Sequence, residues 1–190
     1  MISLTNYLRV TNASHILYFF EEESIYIQNL LTYIRTGIER GHHILIIENT
    51  GIYKEVQKKI TASFSNEQQH HIHFVDNHSF YKRYHDFNIN HVIEHFSEIL
   101  EPFFNQDLTV RTWAHVDWNE QDDMEDKLEE FEKLADCAVK EMNLLSVCAY
   151  NAFDLSASLE NKMMRSHEYL MTDREFVRST LYGIPACKKR

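Results

Sequence analysis

Glycine and proline are scarce here, four and two among 190 residues. So thin a supply excludes a collagen-like chain, a flexible linker and a disordered segment, which are rich in one or both. Cysteine is almost as rare. Cys137, Cys148 and Cys187 show no CxxC spacing and are odd in number, so no disulfide framework is expected and a reducing cytoplasm fits best. Long apolar runs are also missing, and the start MISLTNYLRV reads as neither signal peptide nor membrane span. Basic charge is outnumbered, 19 Lys and Arg against 29 Asp and Glu, giving a formal charge of −10. Such a surface repels phosphate backbones and anionic lipid, so neither nucleic acid nor membrane is expected as a direct partner.

What the chain does have is core-forming material: 44% hydrophobic and 13% aromatic residues. Short apolar runs without helical period read as buried strands at His15–Phe20, His43–Glu48, His71–Asp76, Leu108–Val116 and Leu144–Tyr150. Between them lie stretches of helical spacing. Ile27, Leu30, Leu31, Ile34 and Ile38 mark one over 24–40, with Gly41 as its stop, and TGIYKEVQKKI marks a second. A third covers 89–104, and an acidic fourth covers 122–142 with Met124, Leu128, Phe131, Leu134 and Ala138 on one face. Strand and helix alternate throughout, which predicts an α/β fold: a mostly parallel central sheet of about five or more strands flanked by helices. The division is a lead-in over 1–13, one domain over 14–170, and a C-terminal helix and tail over 171–190.

The stretch HILYFFEEESIYIQNLL places three glutamates where nucleotide-binding α/β proteins turn a glycine-rich loop around phosphate. It holds no glycine to wrap an anion and no lysine to meet one. Three carboxylates would instead repel a phosphate by about 1 kcal/mol or more per close charge pair. Glu21, Glu22 and Glu23 are therefore expected to serve the helix start themselves, answering its positive dipole end and free N–H groups.

Other groupings carry weaker chemistry. QHHIH puts His71 and His73 on one strand face, but nothing nearby completes a metal set, and a solvated strand edge is the simpler reading. His91, Glu94 and His95 match the HxxEH pattern of a zinc protease helix, a short match in a chain rich in both residue types. WAHVDWNEQDD is the best local candidate: Trp113, His115 and Asp117 alternate to one face, Ala114, Val116 and Trp118 to the other. Cys148 and Tyr150 share a face of the last strand, where Cys148 reads as a buried structural thiol. The acidic run EQDDMEDKLEEFEK reads as the solvated face of an amphipathic helix, or a docking surface for a basic partner.

Taken in order, SHILYFFEEESIYIQNLLTYIRTGIERGHHILIIEN, WAHVDW, LEEFEKLADCAV and SVCAYNAFDLS…MMRSHEYL resemble the MEDS family. This is a sensory domain of methanogens and methylotrophs named from a dichloromethane-responsive repressor. His15, GIERG, Glu132, CAYN at Cys148–Asn151 and His167 fall at the family's characteristic places. One departure is that relatives often carry glutamate in a GEMSW-like fourth strand where His115 stands here.

The resemblance implies a degenerate relative of RecA- and KaiC-type ATPases, a three-layer sandwich without a phosphate loop, proposed to sense small organic molecules including hydrocarbon derivatives. The repressor's helix-turn-helix is not expected in these residues. The expected function is thus non-catalytic sensing of a small organic ligand, with a protein signalling partner, no cofactor and no metal; a homo-oligomer is compatible. Ligands of open α/β sheets bind at the carboxyl edge, which makes Glu21, Glu48, Asp76, His115, Asp117, Trp118 and Tyr150 the candidate ligand residues. The alternatives are a ligand-free protein-interaction regulator and an enzyme, either a residual NTPase or a metalloenzyme built on His91 and His95.

Overall fold

The computed structural model describes residues 4–81, 88–117, 124–183 and 187. Helix α1 (Leu4–Val10) precedes strand β1 (Ser14–Phe20), followed by α2 (Glu23–Ile38), β2 (His43–Glu48), α3 (Thr50–Ser63), α4 (Asn66–Gln69) and β3 (Ile72–Asp76). Helices α5 (Asn77–Tyr81) and α6 (Ile89–Asn105) lead to β4 (Val110–His115), α7 (Met124–Glu141) and β5 (Leu145–Asn151). A short 3₁₀ turn, α8 (Ala157–Met163), β6 (Tyr169–Thr172) and β7 (Phe176–Arg178) complete the described chain.

The seven strands form one sheet in the order β3-β2-β4-β5-β1-β6-β7. Every pairing is parallel except the β6–β7 hairpin. Continuous apolar strands such as SHILYFF belong in such a sheet, because helices cover both faces. All seven residues of β1 are buried. Alternation sends Ile16, Tyr18 and Phe20 to the face packed by α1, α2 and α3, and Leu17 and Phe19 to the face packed by α5, α6, α7 and α8. This is the α/β sandwich the alternation predicts, with all five expected strands present.

Three expectations need correction. Residues 171–183 form no helix: β6 pairs with β1, and the chain turns at Thr172, whose Oγ1 accepts from the backbone N–H groups of Arg174 and Glu175, to return as β7. An open sheet edge overrides local propensity there. Cys137 on α7 is disulfide-bonded to Cys187, fifty positions on, because the C-terminal segment folds back over that helix; Cys148 alone is free. Finally, Leu134 points outward at 37% exposure, while Glu132 in the supposedly solvated acidic run is completely buried. Of the described residues, no helix is long and apolar enough to cross a membrane.

The α2 face buries a cation. The Arg111 guanidinium donates to His42 Nδ1 at 3.0 Å, and more distantly to Thr36 Oγ1 and the Leu8 carbonyl. It also lies 5.2 Å from the centre of the Tyr33 ring. Burial, then the charges of Arg111 and Arg40, pull the His42 imidazole down to about 4, so it stays a neutral acceptor. Gly37, inside α2, makes the room: a Cβ there would sit 3.0 Å from Arg111 Cδ and 3.1 Å from Ile44 Cγ1. Gly41, with φ of 71°, ends the helical turn in the left-handed region that favours glycine.

Two outcomes are expected. Gly37→Ala gains about 1 kcal/mol of helix propensity, yet crowding two fully buried side chains should leave it destabilised by about 1–3 kcal/mol in denaturant melts. A variant as stable as the parent would show that Arg111 can move aside. For His42, the folded state binds the proton less tightly than the unfolded chain. Its contribution is therefore complete above pH 6.5 and is lost as pH falls from there towards about 4. His42→Gln should flatten the acid limb of the stability–pH curve by an amount on the order of 1–3 kcal/mol.

Candidate functional site

Only Glu21 and Glu22 lie between the end of β1 and the start of α2, too little chain to wrap a phosphate. The anion at this helix start comes from elsewhere. Asp173, in the β6–β7 turn, accepts from the backbone N–H groups of Glu21 and Glu22 at 3.0 and 2.9 Å through one carboxylate oxygen. Its other oxygen accepts from the Tyr18 hydroxyl at 2.6 Å. The Glu22 side chain, at the N-cap, makes no capping bond, and all three glutamates are exposed. The expectation that they fill the anion position themselves is corrected: a carboxylate from a distant hairpin fills it.

On the α7 face, four buried groups that are far apart in sequence converge. His15 on β1, Glu132 on α7, Cys148 on β5 and His167 just before β6 bring potential ligand atoms within 4.8 Å of one another. His15 Nε2 is 3.3 Å from Cys148 Sγ and 3.6 Å from Glu132 Oε2. His167 Nε2 is 3.3 Å from the same Glu132 oxygen, yet the two atoms make no aligned hydrogen bond to each other or to any other group. The imidazoles stack with centres 3.9 Å apart. Each is oriented from behind: His15 Nδ1 donates to the Ser166 carbonyl at 3.2 Å, and His167 Nδ1 to the Met163 carbonyl at 2.8 Å. The Tyr150 hydroxyl donates to Glu132 Oε1. Burial and the neighbouring His167 push the His15 imidazole below its ordinary value; burial and Glu132 push the Cys148 thiol well up.

Beside this cluster lies an internal cavity of about 30 Å³ under the sheet. Phe80, Val92, Phe96, Phe131 and Val139 contribute apolar wall; His15, Ser146, Cys148 and Tyr81 bring the polar atoms.

At the carboxyl edge, the structure joins some of the expected ligand residues and separates others. Glu48 and His115 are both buried on the α2 face, 2.6 Å apart. Tyr26 donates to the other oxygen of Glu48 and accepts from Trp113 Nε1 at 2.8 Å. Burial alone would lower His115, but Glu48 holds its imidazole above the ordinary value. Asp76, half-buried, ends β3, where it accepts from the Thr50 hydroxyl at 2.6 Å and the Ser79 N–H at 2.9 Å. Asp117 is half-buried just past β4, Glu21 is exposed at the hairpin junction, and Tyr150 belongs to the other face. Trp118 lies outside the described residues. In the HxxEH run, His95 faces Glu98 at 3.5 Å along its own helix. His43, His71 and His73 pack together at the amino ends of β2 and β3, with His43 Nδ1 and His73 Nε2 3.0 Å apart.

A family described as the methanogen/methylotroph, DcmR sensory domain, MEDS, matches residues 14–168. The chain belongs to the MEDS family. A sensory or regulatory role follows from that membership. Among curated proteins no match is found. In fold the MEDS domain is similar to a KaiC-like protein from the hyperthermophilic archaeon Pyrococcus horikoshii OT3, with a TM-score of 0.55 and 11% identity over 84% of this chain and 70% of that one. An ATP synthase subunit, NeqB from Nanoarcheaum equitans, aligns with a TM-score of 0.46 and 11% identity over 90% of this chain and 49% of that one. The first likeness establishes a KaiC-like sheet.

All four members of the quartet stand where the sequence resembles the MEDS family, but they lie on four separate elements with no local spacing, so the sequence does not join them into one site. A second signal lies in helical phase. Glu132 and Asp136 are one helical turn apart, on the stripe of the MEDS domain's α7 that also carries Leu128, Ala135 and Val139.

The Asp173 clamp generates a prediction. Asp173→Ala removes the acceptor of two backbone N–H groups and one hydroxyl and should lower stability by about 1–2 kcal/mol. Millimolar ATP with Mg²⁺ should leave the melting temperature of the parent and of the variant unchanged. A saturable rise in the variant alone would mean that Asp173 occupies a nucleotide's place.

Proposed function

We propose that this MEDS domain is a non-catalytic sensor that holds a small, largely apolar organic molecule in the internal cavity and passes its presence to a protein partner. The observation that carries this reading is the cavity's size and lining. One water-sized sphere takes about 10–15 Å³ by this measure, so about 30 Å³ suits a molecule of roughly two or three heavy atoms. Its wall is apolar apart from one corner near Cys148 and His15, where a weakly polar or polarisable substituent would be tolerated. A hydrocarbon derivative of one or two carbons has that size and character.

Absence of catalysis is supported at the β1–α2 junction, where Asp173 already holds the N–H groups that would meet a phosphate. Helices α6 and α7 cover the cavity, and they are the elements through which occupancy would reach a partner. Loss of the ligand response described next would favour the alternative, a protein-interaction regulator without ligand.

Thermal melts with a graded series from methanol and dichloromethane to butanol and hexane test the proposal. The smallest apolar compounds should raise the melting temperature saturably; occupancy at a hundred times the dissociation constant is worth about 2.7 kcal/mol. Ala135→Leu, which fills the cavity wall, should remove the response while melting cooperatively. If no compound stabilises the parent, or if Ala135→Leu responds as the parent does, the cavity is not the sensing site.

A further inference from the structure

From the buried quartet we infer a metal site that takes one borderline-soft divalent ion, zinc foremost, on His15 Nε2, His167 Nε2, Cys148 Sγ and Glu132 Oε2. It adjoins the proposed ligand cavity but does not depend on any organic ligand being present.

The first argument is one of lone pairs. Both imidazoles commit Nδ1–H to backbone carbonyls, His15 to Ser166 and His167 to Met163. Each neutral ring therefore turns an Nε2 lone pair inward, that of His15 lying 3.3 Å from the Cys148 thiol. There they meet Glu132 Oε2, itself an acceptor, at 3.6 and 3.3 Å. Three acceptors face one another in the interior, and two of them, His167 Nε2 and Glu132 Oε2, have no hydrogen-bond partner. A buried polar atom left without a partner is destabilising. A cation among the three turns that opposition into attraction.

Geometry is the second argument. Zinc binds nitrogen and oxygen at about 2.0–2.1 Å and sulfur at about 2.3 Å, which sets tetrahedral ligand–ligand edges of roughly 3.3–3.7 Å. Three of the six edges, at 3.3, 3.6 and 3.3 Å, fall on that scale, and all four atoms lie within 4.8 Å of one another, so a modest inward movement of the ligands closes the set. Two imidazoles, a thiolate and a carboxylate make a four-coordinate set that selects zinc or a similar transition ion over Mg²⁺ or Ca²⁺. Thiolate and carboxylate together neutralise the ion's two charges, the proton of Cys148 leaving on binding.

The third argument is the supporting shell. Ligating histidines usually donate their second nitrogen to a carbonyl or carboxylate, and ligating carboxylates are themselves hydrogen-bonded. Here both histidines hold carbonyls, Tyr150 holds the remaining oxygen of Glu132, and Asp136 lies 3.5 Å from His15 Nδ1.

The test uses the full chain with any affinity tag removed. Zinc content after dialysis, chelator competition with Zn²⁺ and the absorption spectrum with Co²⁺ are measured on the parent and on variants. The parent should hold one equivalent of zinc, and its cobalt form should show tetrahedral d–d bands with a thiolate charge-transfer band. Cys148→Ser should abolish the charge-transfer band. His167→Gln should weaken zinc by roughly 100-fold or more, whereas Tyr150→Phe, which leaves the four ligands in place, should weaken it about tenfold. The His91→Ala/His95→Ala protein should retain its full equivalent. If a ligand variant fails to fold, the parent's cobalt spectrum and the Tyr150→Phe affinity decide. A parent without zinc that also gives no thiolate–cobalt band overturns the proposal and leaves a proton shared between His167 and Glu132. So does zinc that survives Cys148→Ser and His167→Gln unchanged, or zinc lost with His91 and His95.

Discussion

The parallel pairing of β1 with β5 is the contact on which the rest of the molecule depends. Ser14 through Phe20 run beside Leu145 through Asn151, one partner for each residue. Two segments from opposite ends of the chain thus become the adjacent centre of the sheet, and everything between them must wrap both faces to reconnect them. Loop closure over such distances is entropically unfavourable, so the pairing has to be supported by side-chain burial. The uninterrupted apolar character of both strands supplies that burial. The same register sets His15 beside Ser146, and Leu17 beside Cys148. Distant polar side chains are brought together as a consequence of the strand pairing.

The two faces treat buried charge differently. On the α2 face the buried charged groups among the described residues are all partnered. Arg111 is shared among a neutral imidazole, a hydroxyl, a carbonyl and an aromatic face, and Glu48 is held by Asn49 N–H, Tyr26 and His115. Removing one member of such a set strands the others, which makes the face rigid and specific. On the α7 face the quartet is oriented with equal care from behind but not joined at its centre. Satisfied outer atoms with unsatisfied inner atoms describe a cradle. Behind His15, Asp136 also receives Lys140 at 3.1 Å and the Tyr182 hydroxyl at 3.3 Å, and the Cys137–Cys187 disulfide ties the same segment to α7.

Alternation of short apolar runs with helical spacing is enough to place five of the six parallel strands, since each buries its own run and needs no knowledge of the others. Tertiary pairing was not legible, so β6 and β7, which become strands by lying at the edge of β1, read as a helix. The candidate site suffered from the same limit. Glu48 and His115 lie at strand ends, where fold-level reasoning looks first, and the structure does bring them together. His15, Glu132, Cys148 and His167 each carry part of the MEDS resemblance, but nothing along the chain joins them, and Glu132 stands within a run of acids. Its burial follows from helical phase, one turn below Leu128 and one above Asp136, and not from composition. Asp173 was invisible for a further reason: a hairpin turn reveals nothing about which distant helix start it will cap.

Asp173 also explains why the interior is the better place to look for a sensor's ligand. A phosphate-binding helix start works in a cycle because its anion arrives and departs. A carboxylate built into the chain stays with it, and here it satisfies the N–H groups of Glu21 and Glu22. The sheet is KaiC-like in fold, and at its β1–α2 junction Asp173 joins α2 to the β6–β7 hairpin. Under the proposed sensory reading, a signal would originate where groups can change partners. Under the readings proposed above, that place is the pocket between the sheet and α7, where the cavity and the quartet share His15 and Cys148. Helix α7 supplies Glu132 to the quartet and Phe131 to the cavity wall, so a ligand or an ion acting there pulls on the same element. That coupling follows from adjacent residues on one helix and needs no longer pathway through the molecule.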